Sequence, residues 1–221
     1  MPKLRIENNA LSNLIKENIA NDILQGRLKP GDKLVESKYA QEYGISRAPV
    51  REAFYLLTLD GFVQKIPRKG TVVKGYTSEE ISDLLKIRIF LEDLAIQKLD
   101  PENARECGKK LERILKQLEQ QTDSRKYAKL NYDFHYKIIT ESKSDVLVNM
   151  YNRLGTPLLS LQTMALAETN KMKESLSEHR QVVSFLKEGK VDQAKKVLLK
   201  HNEAIFPYLR QHFKLQALPD D

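Results

Sequence analysis

Apolar residues recur on one helical face from Asn13 to Gln25, at Leu14, Ile15, Ile19, Ile23 and Leu24, which predicts a first helix. Gly26 and Lys29-Pro-Gly31 stop it. Leu34 and Val35 lead to a short helix from about Lys38 to Tyr43, which Gly44 ends in a sharp turn. Ser46 can cap the next helix, which runs to about Leu59 and closes at Asp60-Gly61. Pro49 falls in its first turn, where a missing amide hydrogen does no harm. Phe62 to Ile66 and Thr71 to Lys74 then read as two short strands joined across Pro67-Arg68-Lys69-Gly70.

Beyond a linker at Gly75 to Thr77 the period is helical throughout. Six helices are expected, at about 78–99, 101–121, 124–141, 144–167, 173–188 and 191–213. The breakers between them are Asp100-Pro101, Thr122-Asp123, Ser142-Lys143-Ser144, Thr169-Asn170 and Gly189. The predicted fold is therefore mainly α. A winged helix-turn-helix occupies residues 1–76 and an all-α helical bundle residues 77–221.

Charge separates the two parts. Residues 1–76 carry 13 Lys and Arg against 8 Asp and Glu; residues 77–221 carry 24 against 22. Most of the net +7 sits in the first third, so only that part is built to meet a polyanion. The N-terminal residues have no apolar run, and no stretch approaches the roughly 18 apolar residues of a membrane span. One cysteine, Cys107, excludes an internal disulfide framework, fits a reducing compartment and reads as a passive thiol. A cytoplasmic location is expected.

In a helix-turn-helix the second helix enters the major groove and its N-terminal residues meet base edges. Here those residues are Ser46, Arg47, Ala48 and Arg51. Arg47 and Arg51, four apart, share a face, and an arginine fork matches the O6/N7 edge of guanine. The plainer alternative is a solvated pair, with Arg51 held by Glu36 or Glu52. At the wing tip, Arg68, Lys69 and Gly70 can approach the sugar-phosphate and enter the minor groove. Ser37 and Lys38 can donate to a phosphate. The partner expected is double-stranded DNA.

Leu34-Val-Glu-Ser, Ile45-Ser-Arg-Ala-Pro-Val-Arg-Glu-Ala-Phe and Leu59-Asp-Gly-Phe-Val resemble the N-terminal domain of the GntR family of bacterial transcription regulators. The likeness covers residues 10–76; Ala48 stands where the family often has Thr, so one hydroxyl contact is absent. It implies a homodimer on a palindromic operator, each protomer supplying one recognition helix.

Three of the four histidines, His135, His179 and His201, lie in three different predicted helices of the bundle. Asn131 is four residues before His135 and shares its face. Imidazoles spread over a bundle can form a first-row metal site, although a lone buried histidine is more often a hydrogen-bonded core residue. Asn131-Tyr-Asp-Phe-His135, Glu178-His179 and Lys200-His201 resemble the FCD-type domain of the FadR branch. Lys187-Glu-Gly-Lys-Val-Asp-Gln-Ala194 looks like that family's linking stretch, and six helices resemble its shorter, VanR-like form. The resemblance implies a divalent metal on Asn131, His135, His179 and His201, with Asn131 a weaker, neutral ligand in place of the usual Asp. Zinc suits the imidazoles; nickel and manganese remain open. His212 matches no family position and reads as a surface residue.

Arg88 is out of place on the otherwise apolar face of Ile81, Leu84, Leu85, Leu91 and Ala95. The resemblance places it over an effector cavity, where it would clamp a small carboxylate. The plainer alternative is a salt bridge to Glu92. The sequence thus points to a transcription regulator, a repressor by family habit, that responds to a small organic acid. Two other classes stay open: a metal-dependent hydrolase, and a DNA-binding protein with a purely structural metal and no effector.

Overall fold

A computed structural model describes residues 3–168 and 170–213, with side chains between 10 and 211 except at 169 and 210. The chain divides between Thr77 and Ser78 into two compact units.

The first unit contains α1 (Lys3–Leu24), β1 (Lys33–Leu34), α2 (Glu36–Tyr43), α3 (Arg47–Leu59), β2 (Val63–Ile66) and β3 (Gly70–Val73). α1 packs along α3, burying Ile15, Ile19 and Ile23 with Val50, Phe54 and Leu57. At about 25 cal/mol per Å² of apolar surface, each such side chain contributes about 1.5–3 kcal/mol. Gly44 adopts φ 65, and its N–H bonds back to Ala40 and Gln41 carbonyls. That left-handed cap sets the turn between α2 and α3, and a Cβ there would be strained. Ser46 is the N-cap of α3 as expected, but its hydroxyl makes no capping bond.

The three strands form an antiparallel sheet in the order β1-β3-β2. Register pairs Lys33 and Gln64 with Val72, and Lys65 with Thr71. Two features differ from the pattern. α1 begins at Lys3, well before Asn13, and β1 is a strand that only its pairing to β3 creates.

The second unit is all helical: α4 (Ser78–Gln97), α5 (Pro101–Leu118), α6 (Ser124–Glu141), α7 (Asp145–Leu166), α8 (Lys171–Lys187), α9 (Val191–Glu203) and α10 (Phe206–Phe213). Three of the expected breaks are N-caps. The side chains of Asp100, Asp123 and Ser144 accept from the backbone N–H of Asn103, Lys126 and Leu147. α4 packs against α6, α7 and α9, and α5 against α6 and α8. Gly108 lets α5 and α8 touch, because a Cβ there would meet the Lys187 backbone nitrogen at 2.8 Å.

The expected last helix, 191–213, is two helices, so this unit has seven among the described residues. Pro207 offers no N–H to the Glu203 carbonyl and its ring would clash with it, so the chain turns at Ala204 and Ile205. Cys107 is buried, and burial first of all pushes its thiol up to about 12, an inert packing residue. The side chain of His212 and residues 214–221 lie outside the described residues. No helix among the described residues is long and apolar enough to cross a membrane.

Candidate functional site

The first candidate surface is the start of α3. Arg47, Ala48 and Arg51 are all exposed, as are Ser46 before them and Ser37 and Lys38 in the first turn of α2. Among the described residues, Arg47 has no ion pair. Arg51 is engaged: its Nε and Nη2 fork onto the Glu36 carboxylate at 3.0–3.2 Å. That link lies in solvent, with Arg51 68% exposed, and an exposed pair is worth only about 0–1 kcal/mol. Glu36 therefore holds the guanidinium in place without locking it away.

Arg68 and Lys69 are exposed at the wing tip, where Arg68 (φ 65) and Gly70 (φ 88) both take left-handed backbone. Lys33 joins them. Lys33, Arg68 and Lys69 rim one concave surface floored by Ile66 and Val72. Lys33's place was not legible from the sequence, because β1 becomes a strand only by pairing with β3.

The second candidate site lies inside the helical unit. α6 carries His135, α8 His179 and α9 His201, and one nitrogen from each lies within 4.8 Å of the others. His135 Nε2 is 3.1 Å from His201 Nε2 and 3.4 Å from His179 Nε2. The other ring nitrogens decide the chemistry. His135 Nδ1 faces Glu92 Oε2 at 2.9 Å and His201 Nδ1 faces Glu178 Oε2 at 2.8 Å. A carboxylate accepts, so both Nδ1 atoms carry the hydrogen and both Nε2 atoms present lone pairs.

Two lone pairs 3.1 Å apart repel unless a cation lies between them. A proton on His135 is disfavoured: burial, the largest cause, with Arg88's charge, outweighs Glu92's pull and takes it down to about 3. Burial and the neighbouring imidazoles likewise hold His179 well below its usual value. A metal with nitrogen bonds of about 2.0–2.1 Å sets neighbouring nitrogens about 3.0–3.4 Å apart, depending on geometry. The donor set therefore fits a first-row divalent ion. His135 and His201 have the carboxylate backing that orients metal-bound imidazoles. His179 lacks it: its buried Nδ1 has no partner, and the ring stacks on Phe134 with centroids 4.1 Å apart.

Glu92 is the residue whose importance the sequence hid. It is fully buried and accepts from Arg88 Nε (2.9 Å), Tyr151 Oη (3.0 Å) and Asn202 Nδ2 (2.7 Å) as well as His135. Burial pushes its carboxyl up, but His135 and Arg88 outweigh that and hold it well below the usual range. It is thus an anion shared between Arg88 and His135. Its signal in the sequence was a second charge on the apolar face of α4, four residues after Arg88.

A cavity opens beside His201. Arg88, Asn131, Gln162, Ser175 and Glu178 line it, with Ala204, Ile205 and Tyr208 from the α9–α10 turn. Arg88 is therefore both the partner of Glu92 and a cavity residue. Asn131 shares the cavity, but its Oδ1 accepts from Ser175 Oγ at 3.4 Å, a bond it would give up to serve as a ligand.

Comparison with known proteins covers both units. Residues 11–73 match the model of bacterial regulatory proteins of the gntR family, and residues 83–204 match the FCD domain. The chain belongs to the GntR family and carries an FCD domain. It is 28% identical over 183 residues to the HTH-type transcriptional regulator YdhC of Bacillus subtilis, covering 81% of this chain and 82% of that one. It is 25% identical over 164 residues to the gluconate operon transcriptional repressor of Bacillus licheniformis, covering 73% and 66%. The solved structure of McbR/YncC from E. coli shares the fold, with a TM-score of 0.64 and 21% identity over 92% of this chain and 98% of that one. This GntR-family chain is a DNA-binding transcription regulator with an effector-binding domain, and the families it matches are regulators, not enzymes.

Proposed function

We propose that this regulator represses from a palindromic operator as a homodimer and answers to a small carboxylate beside a divalent metal. The observation that carries it is the convergence of three imidazole nitrogens, two of them backed by carboxylates, next to a cavity lined by a buried arginine. His135, His179 and His201 would hold the ion, with Asn131 a fourth candidate. Imidazole donors favour zinc over manganese, and nickel is the next alternative. When bound, the ion supplies a Lewis-acidic site for an oxygen of the effector.

For DNA, Arg47 and Arg51 read base edges, Ser46 and Ala48 line the groove, and Ser37, Lys38, Arg68, Lys69 and Gly70 meet the sugar-phosphate backbone. Self-association is supported by two exposed apolar pairs on the mutually packed α4 and α7: Ile87 and Phe90, and Val146 and Met150. Large exposed apolar side chains gathered on adjoining helices mark an interface.

His135→Ala should release the metal, raising the dissociation constant for Zn2+ at least about 100-fold. A ligand at 100 times its dissociation constant stabilises a fold by about 2.7 kcal/mol, so Zn2+ should raise the wild-type melting temperature by about 5–10 °C. The variant should show no such shift. Equal shifts in both proteins contradict the metal assignment.

One observation favours a second reading, in which the metal is structural and no effector binds: Arg88 is already paired internally. Thermal melts of the metal-loaded protein with acetate, lactate, succinate and citrate separate the two. A shift with any acid supports the effector site; none favours the structural metal.

A further inference from the structure

Every nitrogen of the Arg88 guanidinium is occupied from within the protein. Nε donates to Glu92 at 2.9 Å, and Nη1 and Nη2 lie 3.1 and 3.2 Å from the terminal amide of Gln162. Asn131 Nδ2 reaches the same amide at 3.3 Å. Three donors face one group, so the group they face is the amide oxygen. A carbonyl oxygen has two lone pairs, and three donors exceed them. The pocket that surrounds this oxygen is laid out for the richer acceptor set of a carboxylate. Gln162 is itself 2% exposed and lines the cavity together with Arg88, Asn131 and His201.

We propose that the Gln162 amide is an internal stand-in for the effector's carboxylate. An acid entering the cavity displaces its oxygen from Arg88 and Asn131, and Gln162 thereby sets the affinity and the minimum chemistry of the ligand. This rests on reading the cavity as a site for a small acid. Hydrogen bonds to an ionised acceptor are roughly twice as strong as those to a neutral one, so a carboxylate wins the exchange and a neutral alcohol or amide does not. The exchange also has a mechanical consequence. The Gln162 oxygen ties α7 to Arg88 on α4 and to Asn131 on α6. α4 and α7 carry the exposed apolar pairs, so removing the tie changes how these two helices are held. That gives the ligand the differential contact it needs to shift an equilibrium.

Two variants of the full-length, Zn2+-supplied protein test the proposal from opposite sides, with acetate, lactate, succinate and citrate as probes in calorimetric titrations. Gln162→Met keeps the volume and removes the oxygen, so acid affinity should rise about tenfold or more. Gln162→Glu places a permanent carboxylate on Arg88. It should take up no acid, and its operator affinity without acid should equal that of the wild type saturated with acid. Unchanged or weaker binding in Gln162→Met overturns the proposal, as does acid uptake by Gln162→Glu. Either variant alone decides the matter if the other does not fold. Arg88→Met separates this proposal from the one beneath it. Acid binding that survives in Arg88→Met refutes the effector site itself. Binding lost there but unaltered in Gln162→Met refutes only the role of Gln162. No binding by wild type or Gln162→Met counts against both.

Discussion

Arg47→Ala should cut specific operator affinity by at least about 30-fold while leaving the melting temperature unchanged. Arg47 is exposed at the first turn of α3 and has no ion pair among the described residues, so its truncation removes nothing that supports the fold. A bidentate arginine–guanine contact discriminates by about 1–3 kcal/mol, and a dimer on a palindrome makes it twice. The expected loss is about 2–6 kcal/mol, roughly 30-fold to more than 10⁴-fold in affinity. Arg51→Ala should follow with a smaller loss, because Arg51 must first leave Glu36. The check is an anisotropy titration of a duplex selected from a random-sequence pool against wild type and both variants. Substituting Lys33, Arg68 or Lys69 should instead weaken all sequences alike and lower the salt slope by about 1 each. Undiminished operator affinity in both arginine variants contradicts the docking of α3.

Glu92→Ala should be the most damaging single change in the helical unit, costing about 3–5 kcal/mol of stability. The substitution strands Arg88, a guanidinium buried to 3% exposure, without its counter-charge. It also removes the acceptor for Tyr151, Asn202 and His135 Nδ1. Glu92→Gln keeps an acceptor and the shape but not the charge, and should lie between Ala and wild type. Both variants should lose Zn2+ affinity by about 10–100-fold, because His135 loses the anion that fixes its tautomer. Urea denaturation of the metal-free proteins measures the first effect and competition with a chelating dye the second.

The same site predicts acid lability. His135 falls from 6.5 to about 3 on folding, so between those values the unfolded chain binds more protons than the folded one. Metal-free stability should fall as the pH drops below about 6.5, by up to about 1.4 kcal/mol per pH unit for this group. His179, shifted the same way, should steepen the slope. A flat stability between pH 7 and pH 5 contradicts the burial of neutral imidazoles.

The helix-turn-helix was legible because its chemistry is local. Gly44 takes left-handed backbone, Pro49 fits a helix only in its first turn, and Asp60-Gly61 ends one, so three local signals bracket α3 within the segment itself. β1 was not legible, since two residues have no period and become a strand only by pairing with Thr71 and Val72. The α9–α10 break left a clear mark in Pro207, which the apolar residues around it obscured. The histidines stood out by type and helix. What a sequence cannot display is which polar group faces which. Glu92, four residues after Arg88 on α4, was legible as its salt-bridge partner, but its bonds to His135, Tyr151 and Asn202 were not, and only the packing of α4, α6 and α7 brings Gln162 to Arg88.

Operator affinity measured with and without a saturating small carboxylate, for Zn2+-loaded wild type and Arg88→Met side by side, bears most directly on the coupling of the two halves. The wild-type dissociation constant should change at least about tenfold on adding acid, equivalent to 1.4 kcal/mol of coupling, and the variant's should not change. An identical constant with and without acid in the wild type, or an equal change in the variant, would contradict it.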